Sequence, residues 1–277
     1  MRALPTLIRR LLTVSLFLPQ LVPVHAGASE TVQFVVTGAS LWAGPGEAVV
    51  EERFVAIDEG RIVAIGPTAQ APAARDTLDA GGRLVTAGFW NCHVHFTEPI
   101  WSGATRADPV QLGRFLERML TRYGFTSVLD TGSNPADTEA LSYRLERGRV
   151  LGPRLLMAGG SFVPADGQPD YVDTPLPELF TAADAEQKLQ WVLSRDVSAI
   201  KIFTGSFVGP GVTAVMPLEV VVAVTDAAHA EAIPVIAHPQ DMEGVRNAVD
   251  GGVDILAHTA PNGGPWPPAL VERMVEK

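Results

Sequence analysis

The chain has 277 residues, 47% of them hydrophobic and 19% charged, a composition that suits a folded protein large enough for an α/β barrel and excludes a disordered one. Its net charge is −10 and no Lys/Arg run occurs beyond the first residues, which argues against nucleic acid as a partner. The single cysteine, Cys92, excludes an intrachain disulfide and is expected as a small buried hydrophobe.

Arg2, Arg9 and Arg10 form a positive start, Leu11 to Val24 is apolar although Pro19 and Pro23 interrupt it, and Val24-His25-Ala26 fits a small-residue cleavage pattern. This predicts a signal peptide over residues 1–26 and a periplasmic or secreted mature protein. An uncleaved anchor is the alternative, but the run is short for a span of about 20 residues. No later stretch is apolar enough to cross a membrane, so no membrane contact is expected after cleavage.

Residues 27–85 read as all-β. Val32 to Val36 is a strand, and Phe54–Asp58 and Arg61–Gly66 flank Glu59-Gly60, a two-residue hairpin turn. Leu78-Asp79-Ala80 leads through Gly81-Gly82 into Arg83-Leu84-Val85. The segment is too small for an independent sandwich and reads as the N-terminal part of a small β-sandwich domain.

Residues 86–277 alternate short apolar runs with helical stretches. The first run holds Phe89-Trp90-Asn91-Cys92-His93-Val94-His95-Phe96. The later runs are Ser127–Asp130, Arg154–Ala158, Ala199–Phe203, Pro234–His238 and Val253–His258. Helical spacing marks 110–123, 137–147, 182–195, 217–230 and 242–251. This alternation is the signature of βα units on a parallel sheet, and about six units are present where a (β/α)₈ barrel needs eight. Lys277 falls inside the sixth helical stretch. The expected fold class is α/β: a partial (β/α)₈ barrel beside a piece of β-sandwich.

Side chains two apart on a strand share a face, so His93 and His95 project together and Val94 the other way. With six histidines in the chain, such a pair arises by chance in about one chain in ten, so its weight rests on the polar residues of the later runs. Lys201 lies inside the apolar run Ala-Ile-Lys-Ile-Phe, where an unpartnered ammonium is costly. His238 and His258 close the fifth and sixth runs, at the strand ends where barrels carry their chemistry. His229 sits in a helical stretch and reads as a surface residue. Four imidazoles and one lysine, in order on the first, fourth, fifth and sixth strands, are a candidate donor set for a divalent ion. Glu98, Trp101, Phe162, Tyr171 and Thr204 are loop candidates for a pocket wall, with ordinary packing as the plainer reading. Pro164, Pro169, Pro175 and Pro177 mark a long loop that could form a lid.

The run Thr86-Ala87-Gly88-Phe89-Trp90-Asn91-Cys92-His93-Val94-His95, together with Ile200-Lys201-Ile202-Phe203 and Gly252-Val253-Asp254-Ile255-Leu256-Ala257-His258, resembles the amidohydrolase superfamily, in its imidazolonepropionase and prolidase-like branch. Ala87 stands where proline is common and Asn91 where aspartate is common. Gln240 stands where the branch often has a second strand-five histidine. The resemblance implies metal ligation by His93, His95, Lys201, His238 and His258, with one or two divalent ions, Zn²⁺ first among them, and Lys201 carboxylated in the two-ion case. It implies hydrolysis of a carbon–nitrogen amide bond, non-peptide or in a dipeptide, in a small-molecule substrate. The superfamily's proton-moving aspartate, at the end of strand eight, has no match among these residues, and neither do strands seven and eight. That aspartate is expected beyond Lys277, so no catalytic residue is assigned within the chain. The expectation is therefore a fragment of a longer hydrolase, poorly stable and inactive in isolation. Two other readings fit the same residues: a one-ion deaminase or lactonase-like hydrolase with Lys201 unmodified, and a degenerate barrel that binds without catalysis.

Overall fold

The computed structural model describes residues 31–276. The expected signal peptide lies outside the described residues. So does Lys277: the sixth helix is described as Pro268–Glu276, and the aspartate expected beyond Lys277 has no counterpart assigned within it. The chain divides into two compact units, with the boundary between Ala87 and Gly88.

The first unit is one five-stranded sheet. It comprises β1 (Val32–Leu41), β2 (Val50–Asp58), β3 (Arg61–Pro67), β4 (Ala74–Asp79) and β5 (Leu84–Val85). The order is β3-β2-β1-β4, with β5 continuing alongside β1. β1–β2 and β2–β3 are antiparallel, while β1–β4 is parallel. The β2–β3 turn is the one expected, with Glu59 and Gly60 both at positive φ (48° and 71°), the backbone that matches strand twist in a two-residue hairpin. One face buries Val35, Phe54 and Ala56, whereas Ile62, Val63, Leu78 and Leu84 are exposed. A sheet with one small core and exposed apolar positions is a piece of a sandwich in physical terms.

The second unit carries the βα repeats. In order they are β6 (Phe89–Val94), α1 (Pro109–Met119), β7 (Phe125–Asp130), α2 (Pro135–Glu146), β8 (Arg154–Met157), β9 (Ser161–Pro164), β10 (Glu178–Leu179), α3 (Ala182–Leu193), β11 (Ile200–Phe203), β12 (Gly205–Gly209), β13 (Val212–Val215), α4 (Leu218–Ala230), β14 (Val235–His238), α5 (Met242–Asp250), β15 (Ile255–Leu256) and α6 (Pro268–Glu276). Helix starts follow the sequence closely. Asp108, Asn134, Thr181 and Asp241 each accept a first-turn N–H, and Pro109 and Pro135 occupy first helical positions where a missing N–H costs nothing.

β6, β7 and β8 pair in parallel, and β9, β11, β14 and β15 pair in parallel. Between β8 and β9, Gly159 and Gly160 take φ of 68° and 113°, so the third strand is broken and redirected from β7 towards β11. The result is a partial, unclosed barrel of six βα units whose strands form two parallel sheets, β6-β7-β8 and β10-β9-β11-β14-β15. Val94 packs into the core between α1 and α2, and Ile200, Ile202, Val235 and Ala237 pack against α3 and α4.

Several expectations need correction. Cys92 is exposed, because β6 pairs only with β7 and its outer positions lack cover. Trp101 is 1% exposed and stacks edge-on against Phe96 inside the core; Phe162 is a core residue of β9. Neither lines a pocket. The sixth strand is only Ile255–Leu256, so His258 stands two residues beyond it. The proline-rich loop contains β9 and ends at β10, and the β12–β13 hairpin (Gly205–Val215) escapes the sequence pattern. Its strands are short, and Gly-Pro-Gly between them reads as loop.

Candidate metal centre

Each predicted donor lies at or just beyond a C-terminal strand end, except Lys201, which is inside β11. His93 belongs to β6 and His95 comes just after it; the strand's alternation turns both rings to one side, with His93 Nε2 3.2 Å from His95 Nε2. His238 ends β14 and His258 lies past β15, and here His258 Nε2 is 2.7 Å from His238 Nδ1. The two pairs meet across the mouth of the arc: the rings of His93 and His258 stack with centroids 5.9 Å apart. Phe203, at the end of β11, stacks on His238 at 4.4 Å. His229 is elsewhere, on α4, bonded to Asp254 at 2.9 Å, as a surface role requires.

The electrostatics of the group are unusual. Burial lowers His93, His95 and His238, and the charge of Lys201 lowers each further, as do neighbouring imidazoles. His95 falls to about 4 and His238 to about 3, so both are neutral at any physiological pH with lone pairs free to donate. Lys201 is 1% exposed, and burial brings its ammonium down to about 8, with Asp130 opposing the shift. Among the described residues no carboxylate lies within ion-pair distance of it.

Hydrogen bonds behind the rings set the tautomers. His258 Nδ1 faces the Thr259 carbonyl at 2.7 Å, and His238 Nε2 faces Gln240 Oε1 at 3.4 Å. If each acceptor takes the ring proton it faces, His258 Nε2 and His238 Nδ1 confront each other as two lone pairs, a contact that calls for a cation. Gln240, the departure from the expected second histidine, thus supports His238 from behind.

The donor set fits a divalent ion in residue type, protonation state and outer hydrogen bonding. Two nitrogens about 2.05 Å from one tetrahedral ion stand about 3.3 Å apart, close to the 3.2 Å of the His93–His95 pair. The His238–His258 pair is tighter, and three donors do not already converge on one point among the described residues.

Sequence reasoning missed Asp130, at the end of β7. It is 1% exposed and accepts from Ser133 and Thr138. Its signal was visible, since a carboxylate closes the apolar run Ser127–Asp130.

Parallel βα units with a histidine-rich C-terminal mouth define a partial (β/α) barrel, and comparison with known proteins agrees. No protein-family profile matches the chain. It is 49% identical over 53 residues to an imidazolonepropionase of Methylobacterium nodulans, covering 18% of this chain and 13% of that protein. It is 41% identical over 69 residues to a 5-methylthioadenosine/S-adenosylhomocysteine deaminase of Desulforudis audaxviator, covering 24% and 16%. A crystal structure of a Bifidobacterium longum protein assigned as a prolidase superposes with a TM-score of 0.71 at 25% identity, over 88% of this chain and 57% of that one. The chain is a member of the amidohydrolase superfamily. It spans less than two thirds of the length of these relatives.

Proposed function

We propose that the chain is the metal-binding part of an exported hydrolase that cleaves a carbon–nitrogen amide bond in a small molecule. The observation that carries this reading is the pair of facing imidazole nitrogens, His238 Nδ1 and His258 Nε2, 2.7 Å apart, each ring with an acceptor behind its other nitrogen. The names of the relatives, an imidazolonepropionase and a protein assigned as a prolidase, support the carbon–nitrogen bond class.

In this reading His93, His95, His238 and His258 hold one or two divalent ions, Zn²⁺ being the natural choice for neutral imidazoles. A bound ion would polarise the substrate carbonyl and acidify a water. The chain's own contribution is to keep His93, His95 and His238 neutral, to orient His258 through Thr259 and His238 through Gln240, and to bury Lys201 without a directly paired carboxylate. A lysine with its pKa near 8 is partly the free amine at neutral pH. Its nitrogen lone pair can attack carbon dioxide, forming an N–C bond and releasing one proton to solvent. The resulting carbamate turns a buried cation into an anionic ligand.

Metal counting tests the reading. Wild-type chain titrated with Zn²⁺ should take up one or two ions, and His238→Ala should lose at least one. One ion with unmodified Lys201 would favour the deaminase-like alternative, which the similarity to the Desulforudis audaxviator protein supports. No stoichiometric uptake would refute metal binding by this chain. Export rests on residues 1–26 alone, and sequencing of the mature N-terminus should begin at Gly27.

A further inference from the structure

We propose that Asp130 is a positioning residue that fixes His95 through the turn Thr131-Gly132-Ser133, without touching substrate or ion. The inference rests on the metal-centre reading for its affinity measurement and on geometry alone for the rest.

Both peptide groups that flank His95 are held by this turn. The Thr131 N–H donates to the Val94 carbonyl at 3.0 Å, fixing the peptide before His95. The Phe96 N–H donates to Ser133 Oγ at 2.5 Å, fixing the peptide after it. The turn also runs beside the imidazole: a Cβ built on Gly132 would reach ordinary contact with His95 Cε1 at 3.6 Å and would clash with Ser161 Oγ at 2.1 Å. Glycine is required by the closeness of Ser161 and by a φ of 152°, which side chains disfavour.

The same turn is folded around the Asp130 carboxylate. Ser133 Oγ donates to Oδ1 at 2.6 Å, so the hydroxyl that accepts from Phe96 has its own proton committed to Asp130. The Ser133 N–H reaches both carboxylate oxygens at 3.3 and 3.2 Å, and Gly132 N–H lies 3.4 Å from Oδ1. Thr138 Oγ1, from α2, donates to Oδ2 at 3.2 Å. A carboxyl group buried at the strand end therefore gathers the first residues after β7 into a clamp on the strand end beside it. The carboxyl is 1% exposed and its hydrogen bonds run to the turn and to α2, which is why the role proposed for it is positional.

The test uses the full chain with ¹³C-labelled histidine, metal-free, and the variants Ser133→Ala and Asp130→Asn. Ser133→Ala removes only a hydroxyl and serves where Asp130→Asn does not fold. The Cε1–H signal of His95, assigned by its loss in His95→Gln, should move or broaden in each variant, while that of His229 stays in place. Ser133→Thr, which retains the hydroxyl, should restore it. In Co²⁺ titrations both variants should bind about 10–100-fold more weakly, and together no more weakly than the worse one. Leu141→Ala, an equally buried change on α2 outside the network, should alter the affinity less than threefold. An unmoved His95 signal in Ser133→Ala overturns the proposal, as does an affinity loss no larger than that of Leu141→Ala. If the wild-type chain takes up no Co²⁺, the metal-centre reading falls and the His95 signal alone decides the positioning role.

Discussion

Replacing Lys201 by methionine should stabilise the metal-free chain at pH 7. Lys201 is 1% exposed, and burial lowers its pKa from 10.5 to about 8, a displacement the negative charge of Asp130 only partly offsets. At about 1.4 kcal/mol for each pH unit, the buried ammonium costs the fold about 3 kcal/mol. Proton counts fix the sign. Between pH 8 and 10.5 the unfolded chain holds a proton that the folded chain has lost, so stability rises with pH in that window. Below pH 8 both states are protonated and the whole cost is present. Methionine matches the stem without the charge and repacks at a cost of roughly 1 kcal/mol or less. Urea unfolding in EDTA and bicarbonate-free buffer should show Lys201→Met more stable by about 2 kcal/mol at pH 7, with the advantage reduced to under about 1 kcal/mol at pH 10. Other groups titrate in both proteins, so the difference between the two curves isolates Lys201. A variant less stable than wild type at pH 7, or an advantage that is the same at both pH values, would refute the reasoning.

Acid should destabilise the metal-free chain early. His95 and His238 fall to about 4 and about 3, so from pH 6.5 down to 4 the unfolded state binds protons that the folded state does not, and stability is lost as pH falls. Halved for their partial exposure, the two contribute about 4 kcal/mol of loss, and His95→Gln/His238→Gln should flatten the pH 4–7 limb of a stability profile. Gly132→Ala should cost about 2 kcal/mol or more in urea unfolding, because its Cβ would sit 2.1 Å from Ser161 Oγ at a φ suited to glycine. Asp254→Ala should cost about 1–2 kcal/mol, since it strands the Val235 N–H that Asp254 accepts at 2.7 Å, whereas His229→Ala should cost under about 1 kcal/mol and leave Zn²⁺ uptake unchanged.

The donor residues were legible because each interrupts an apolar run: an imidazole or ammonium on an inward strand position is conspicuous against Val, Ile and Ala. The arc was legible for the same reason, through the alternation of short apolar runs with capped helical stretches. The β12–β13 hairpin was not, as its composition around Gly205 and Gly209–Gly211 is that of a loop and only pairing across the turn makes it strand. Cys92 was misplaced because burial of an edge strand depends on what pairs with it, which no local pattern encodes. Asp130 was passed over for a subtler reason. Its residue type was plain, but its meaning lies in where Ser133 and Thr131 return to the backbone around His95, a contact between residues 94–96 and 131–133 that has no periodicity.

The charges of the site make sense only together. Taken singly, a buried lysine without a directly paired carboxylate and two histidines that resist protonation each destabilise the fold under some condition, and a buried Asp130 raised by desolvation adds another cost. Such costs persist in a core only where another gain depends on them. Neutral imidazoles are the form that donates to a cation, and an amine near neutrality is the form that can react with carbon dioxide. Bound cations and a carbamate would exchange a cluster of one ammonium and crowded lone pairs for matched charge. Ion binding should therefore be tighter where it also relieves that cost, and at the same free Zn²⁺ concentration the stabilisation should be smaller in Lys201→Met, where no carbamate can form and the cost is already absent. Equal Zn²⁺-induced shifts of the unfolding midpoint in the two proteins, at the same free Zn²⁺ concentration, would count against this coupling.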